Sequence, residues 1–227
     1  MFIIYSILAL GGTIVAFLCM RMVYARFPYA IFHPVLTTTT MISIALVGMS
    51  ISYEVYATYT KGIEQLLGAC VVALAYPLYK QRETMMKYKK TIFWSVFVGI
   101  FTAFSSIIIL AKCVQVKDTE LFSLIPKSIT TPVAISISET IGGITSLAIV
   151  FVMVAGFSGI IIGPFLMKKL HIHHPISKGL ALGSASHALG VAKSTEFGEK
   201  SLSMATVSMT ISAIIGAIAG PFILLIL

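Results

Sequence analysis

The residues in this chain that could do chemistry gather in two short stretches. Ile125 to Gly143 reads I-P-K-S-I-T-T-P-V-A-I-S-I-S-E-T-I-G-G, with two prolines, a lysine, a glutamate and a run of hydroxyls. Gly179 to Gly190 reads G-L-A-L-G-S-A-S-H-A-L-G, with Gly179, Gly183, Ser186/His187 and Gly190 recurring at three- and four-residue steps. On a helix that spacing makes one face of small and polar groups, so something approaches it closely.

In the first stretch Lys127, Ser128, Thr130 and Thr131 flank a helix break at Pro132. A helix starting there points free N–H groups and a partial positive charge at its guest, and a carboxylate is the natural one. Helix capping is the plainer role for Thr130 and Thr131, and reaching to the membrane interface the plainer role for Lys127. Glu139, a turn or two beyond the break, is a candidate coupling-ion or proton site, or else an interfacial carboxylate beside Lys112 or Lys117. In the second stretch Ser184, Ser186, His187 and Gly190 offer a substrate surface with His187 as donor or proton carrier, against the alternative of tight helix packing.

Other chemistries find less support. His171, His173 and His174 stand in a cationic loop without acidic or cysteine partners, so solvated histidines are expected and no metal site. Ser184, Ser186 and His187 lack a GxSxG elbow and an acid to orient the histidine, so no enzyme is expected. No cofactor is expected either.

The elements that must position these residues follow from composition. The chain has 227 residues, 58% hydrophobic and 11% charged, with a mean hydropathy of +1.00. That marks a multi-pass protein of the cell membrane, with room for roughly seven or eight spans of about 20 residues. One membrane domain over 1–227 is the economical reading. The net charge of +8 sits in short clusters between apolar runs, which the positive-inside rule explains without nucleic acid. Cys19, Cys70 and Cys113 fall singly in separate apolar segments and read as small core residues.

Apolar runs begin at Phe2, Pro34, Gly62, Thr91, Ile144 and Ser201, and a polar, Gly-rich run covers Pro175 to Val191. Arg21 follows the first run rather than preceding it, so that run is expected to be a retained span and not a signal peptide. Lys80, Arg82, Lys87, Lys89 and Lys90 against Glu83 mark a cytoplasmic loop. If Lys168 and Lys169 are also cytoplasmic, Ile125 to Gly143 must enter and leave on the outer face. Tyr53, Tyr56 and Tyr59 read as an outer aromatic belt. The halves 1–113 and 119–227 share segment lengths and interruptions with opposite charge bias. The expected fold is an all-α polytopic membrane protein, an inverted-topology repeat with discontinuous or re-entrant helices.

Pro126-Lys-Ser-Ile-Thr-Thr-Pro-Val-Ala134 with Glu139 and Gly142-Gly143, together with Gly179 to His187 and Gly190, closely resemble the signature segments of the LrgB/CidB family. The resemblance extends to Leu66-Leu67-Gly68 and Pro77-Leu-Tyr79. It implies bacterial membrane proteins that act beside small LrgA/CidA partners, and a plastid relative that carries glycolate and glycerate. Two activities are implied: holin/antiholin-like control of murein hydrolase activity and lysis, and transport of small carboxylates such as pyruvate, glycolate or glycerate. The residues favour the second, as a proton- or cation-coupled and elevator-like carrier, because a plain pore former needs no intramembrane Lys, Glu and His. Small-residue faces of GxxxG type would admit a homodimer within the lipid.

Overall fold

The computed structural model describes residues 2–73 and 75–222, and these are helical almost throughout, with no strand among them. The helices are α1 (Phe2–Arg26), α2 (Pro34–Gly48), α3 (Tyr53–Ala73), α4 (Ala75–Lys80), α5 (Arg82–Lys87), α6 (Lys89–Val114), α7 (Asp118–Leu124), α8 (Thr131–Ile141), α9 (Thr145–Lys169), α10 (Pro175–Ser194) and α11 (Glu199–Phe222). Prolines at first-turn positions open α2, α8 and α10, where the missing N–H costs no hydrogen bond and the ring fixes φ for the helix. Leu74 of the third apolar run and residues 223–227 of the last lie outside the described residues, as do the side chains of Glu64, Leu67, Cys70 and Pro77.

Among the described residues four helices are long and apolar enough to cross a membrane: α1, α6, α9 and α11. They correspond to the runs beginning at Phe2, Thr91, Ile144 and Ser201, and they make this a multi-pass membrane protein. The run from Pro34 forms a helix of only 15 residues, about 22 Å long and short of the ~30 Å hydrocarbon core. The run from Gly62 is helical on either side of Leu74, over 62–73 in α3 and Ala75–Lys80 in α4.

The chain clusters into two compact units, Met1–Cys70 and Val71–Leu227. In the first, α1 packs on α2, and the Thr13 hydroxyl donates to the Ala9 carbonyl at 2.7 Å while pairing with the Tyr56 hydroxyl at 2.7 Å. Tyr56 and Tyr59 line an apolar cavity of about 660 Å³ among α1, α2 and α3. Only Tyr53, 63% exposed, stands out as the expected belt residue would.

The second unit is built on two hairpins. In the first, α7 and a 3-10 turn (Ile125–Ser128) lead inward, Ile129 and Thr130 are extended, and α8 returns. The return is closed by the Ile144 N–H donating to Ser123 Oγ at 2.7 Å. Gly142 ends α8 with φ +85, a left-handed cap that glycine supplies at little steric cost. This matches the expectation that Ile125 to Gly143 is broken and turns back on itself.

The second hairpin lies within α10. His187 has φ 50 and ψ −129, interrupting the helix. Beyond it the chain doubles back, so that a Cβ on Gly190 would lie 1.9 Å from the Leu182 carbonyl. The Lys178 ammonium accordingly sits 4.8 Å from the centre of the Phe197 ring, although the two residues are 19 apart in sequence. Gly179 abuts the Ser201 carbonyl and Gly183 the Ala205 carbonyl, so α11 runs parallel to the first arm. The single helical face expected from Gly179 to Gly190 is therefore corrected: it ends at Ser186, and Gly190 instead fits the reversal.

Both hairpins pack against α9, one opening beside its first residue and the other near its last. Each also has its own apolar core. Ile125, Ile129, Ile137 and Ile141 pack with Ile107 and Ala213, while Ile176 and Leu180 pack with Ile92, Val96, Met204 and Val207. A continuous α6 and α11 thus hold both tips near their own midpoints.

Candidate functional site

The tips of the two hairpins meet halfway along α9. Gly159, near the centre of that 25-residue helix, has no side chain and is filled by Ser186, whose Oγ would lie 1.8 Å from an added Cβ. Gly156 and Gly163 receive Leu189 and Leu182 in the same way, the close approach that small residues allow between helices. Gly216 and Gly220 of α11 do this for Ile129 and Ile137 of the first hairpin.

Where the tips meet, a cavity of about 650 Å³ opens among α6, the 3-10 turn, α9 and α10. Lys127 and Ser128 line it from the first hairpin, Ser184 and Ala185 from the second, Ser158 and Gly159 from α9, and Gly99 and Thr102 from α6. That volume suits a small solute. Among the described residues Lys127 is the one charged group on its wall.

His187 is 3% exposed and is not among the residues lining the cavity, its ring beside the Ser128 main chain and within the field of Lys127. The two breaks are therefore in direct contact. Nε2 of His187 and the hydroxyl oxygens of Ser186 and Thr130 are buried without a hydrogen-bond partner. Unpaired polar atoms in a buried place are costly, and three of them cluster on the two interrupted segments.

The remaining expected site residues are more scattered. Thr130 occupies the N-cap of α8 but makes no side-chain cap bond. Thr131 and Pro132 are half-buried in the first turn of α8 and do not line the cavity. Gly190 is buried in the reversal. Glu139 is exposed on α8, three residues before its left-handed cap. Lys127, Ser128, Ser184, Ser186 and His187 are thus brought together, whereas Glu139 stands apart. Thr102 and Ser158 are cavity residues that sequence reasoning missed, since a lone hydroxyl in an apolar span ordinarily bonds to its own helix.

The comparisons with known proteins agree across the whole chain. The protein YxaC of Bacillus subtilis (strain 168) is 48% identical over 93% of this chain and 92% of its own length. YwbG of the same organism is 34% identical over 96% and 97%. The holin-like protein CidB of Staphylococcus aureus (strain N315) is 30% identical over 98% and 97%. No solved structure matches. The LrgB-like family matches residues 13–226, and this chain belongs to it.

Proposed function

We propose that this protein is a carrier of small monocarboxylates of the pyruvate, glycolate and glycerate class. The observation that carries the reading is the cavity at the meeting of two interrupted segments, with Lys127 as its charge and Ser128 and Ser184 on its walls. An ammonium inside a membrane protein is expensive unless it is used. Backbone that leaves the helix at membrane depth is tolerated where it faces protein or a cavity.

Both hairpins lie in the later part of the chain, within 118–197, so they are not the two halves of an inverted-topology repeat of 1–113 and 119–227, and the site between them rests on the two interrupted segments alone. On this reading the four crossings and the two hairpins make six segments, and the runs from Pro34 and Gly62 bring the number to eight. The buried His187 between the tips serves as the proton-coupling group, and the hairpins move as one body in an elevator-like cycle. Glu139, exposed on α8, is left at the edge of this scheme.

A second reading is favoured by the relatives named holin-like protein CidB. On that reading the chain is a holin/antiholin-like component that modulates murein hydrolase activity and lysis, beside a small LrgA/CidA-like membrane partner or as a homodimer. The comparisons speak more directly for this second reading, and the cavity speaks for the first.

Uptake of labelled pyruvate and glycolate into proteoliposomes separates them. A carrier gives saturable uptake that falls at least about tenfold in Lys127→Met, the loss of one charge-assisted bond. Release of an entrapped dye without saturable uptake, unchanged in Lys127→Met, would establish the holin-like reading instead.

A further inference from the structure

The hydroxyls on the α9 and α10 walls of the cavity have already spent their protons. Ser184 Oγ donates to the Leu180 carbonyl at 2.7 Å, with the Ala181 carbonyl at 3.3 Å as its other acceptor. Ser158 Oγ donates to the Val154 carbonyl at 2.6 Å. All three carbonyls belong to the same helix as the hydroxyl, so each hydrogen points back along its own backbone. What remains toward the cavity is a pair of oxygen lone pairs.

The opposite wall has the reverse character. Lys127 brings an ammonium with three donors and no acceptor, and among the described residues no hydrogen bond engages the Ser128 hydroxyl. Near Ser184 the α6 backbone is Gly99, where an added Cβ would come only within 3.8 Å of Ser184 Oγ. A small substituent on a ligand therefore has room beside that oxygen.

We infer that Ser184, supported by Ser158, sets the preference of this cavity by accepting a hydrogen bond from the ligand, so that among small monocarboxylates those bearing a donor at the α-carbon are held more tightly than those bearing a carbonyl there. The inference deepens the carrier reading and rests on it. A ligand whose carboxylate meets Lys127 turns its α-substituent to the α9–α10 wall. A hydroxyl there gives its proton to Ser184. An oxo group sets two acceptors against each other and leaves both unpaired, the arrangement that lets a polar site reject a near-isostere.

The test is calorimetric titration of the full chain in nanodiscs with L-lactate, pyruvate and propionate, three monocarboxylates differing only at the α-carbon. L-Lactate should bind about tenfold more tightly than pyruvate, the effect of one hydrogen bond made rather than left unmade. Ser184→Ala should bring that ratio close to one. Gly99→Ala should do so too, because its methyl shields the same oxygen while leaving α10 untouched. Alanine suits a helix interior at both positions. Equal affinity for L-lactate and pyruvate in the parent chain would overturn the inference, as would a preference surviving both substitutions. Failure of all three acids to bind would instead remove the carrier reading, and the inference with it.

Discussion

His187 carries two roles that substitution can separate. Its φ of 50 and ψ of −129 fall where a side chain is strained by about 1–3 kcal/mol, while glycine enters with little steric cost. Its imidazole touches the Ser128 main chain of the other hairpin. His187→Gly should therefore unfold at a higher temperature than His187→Ala, by an amount reflecting about 1–2 kcal/mol, although both lose the ring. Thermal unfolding of the two variants in detergent checks this; equal melting temperatures would mean that the backbone at this position holds no strain. Transport, if the carrier reading holds, should fail in both. The positive φ was not legible in the sequence. Small residues at three- and four-residue steps read as a continuous face, and the reversal depends on Gly190 meeting the Leu182 carbonyl, a contact that no local pattern announces.

At the level of elements, the glycines of α9 and α10 divide by what faces them. An alanine at Gly183 would place its methyl 2.1 Å from the Ala205 carbonyl, whereas one at Gly163 meets only Leu182 Cδ2 at 3.5 Å. The first clash is with backbone and cannot be relieved by a rotamer. Gly183→Ala should destabilise by about 1–3 kcal/mol, and Gly163→Ala, whose gain in helix propensity is offset by the ring of Pro164 that follows it, should change stability by less than about 1 kcal/mol. Chemical denaturation in mixed micelles reads both; a Gly183→Ala protein as stable as the parent would contradict the parallel packing of α10 on α11. Much at this scale was visible beforehand. Proline openings placed α2, α8 and α10 within a residue or two, and a cytoplasmic Lys168–Lys169 end called for Ile125 to Gly143 to turn back. The helix α7 was not visible, since Lys117, Asp118 and Glu120 form a short mixed-charge stretch with no apolar period of its own, and only the structure shows Leu121 and Ile125 packed against Ile107 and Ala111.

For the molecule as a whole, the hairpins make a claim about sides. Lys117 and Thr140 flank the open end of the first hairpin, His173 and Glu196 that of the second, and all four are exposed. In a background lacking Cys19, Cys70 and Cys113, Lys117→Cys and Thr140→Cys should react with an impermeant thiol reagent from one side of the membrane. His173→Cys and Glu196→Cys should react from the other. Labelling of His173→Cys and Glu196→Cys from opposite sides would make α10 a crossing and end the re-entrant description. The parallel course of α11 beside the first arm of α10 has a further consequence, for biosynthesis. The notches at Gly179 and Gly183 are closed by carbonyls of Ser201 and Ala205, which leave the ribosome some twenty residues later. Until they arrive, the newly made arm can lean on α9 and α6 but its glycine face stays open, so its final settling into the bilayer must wait for a helix not yet translated.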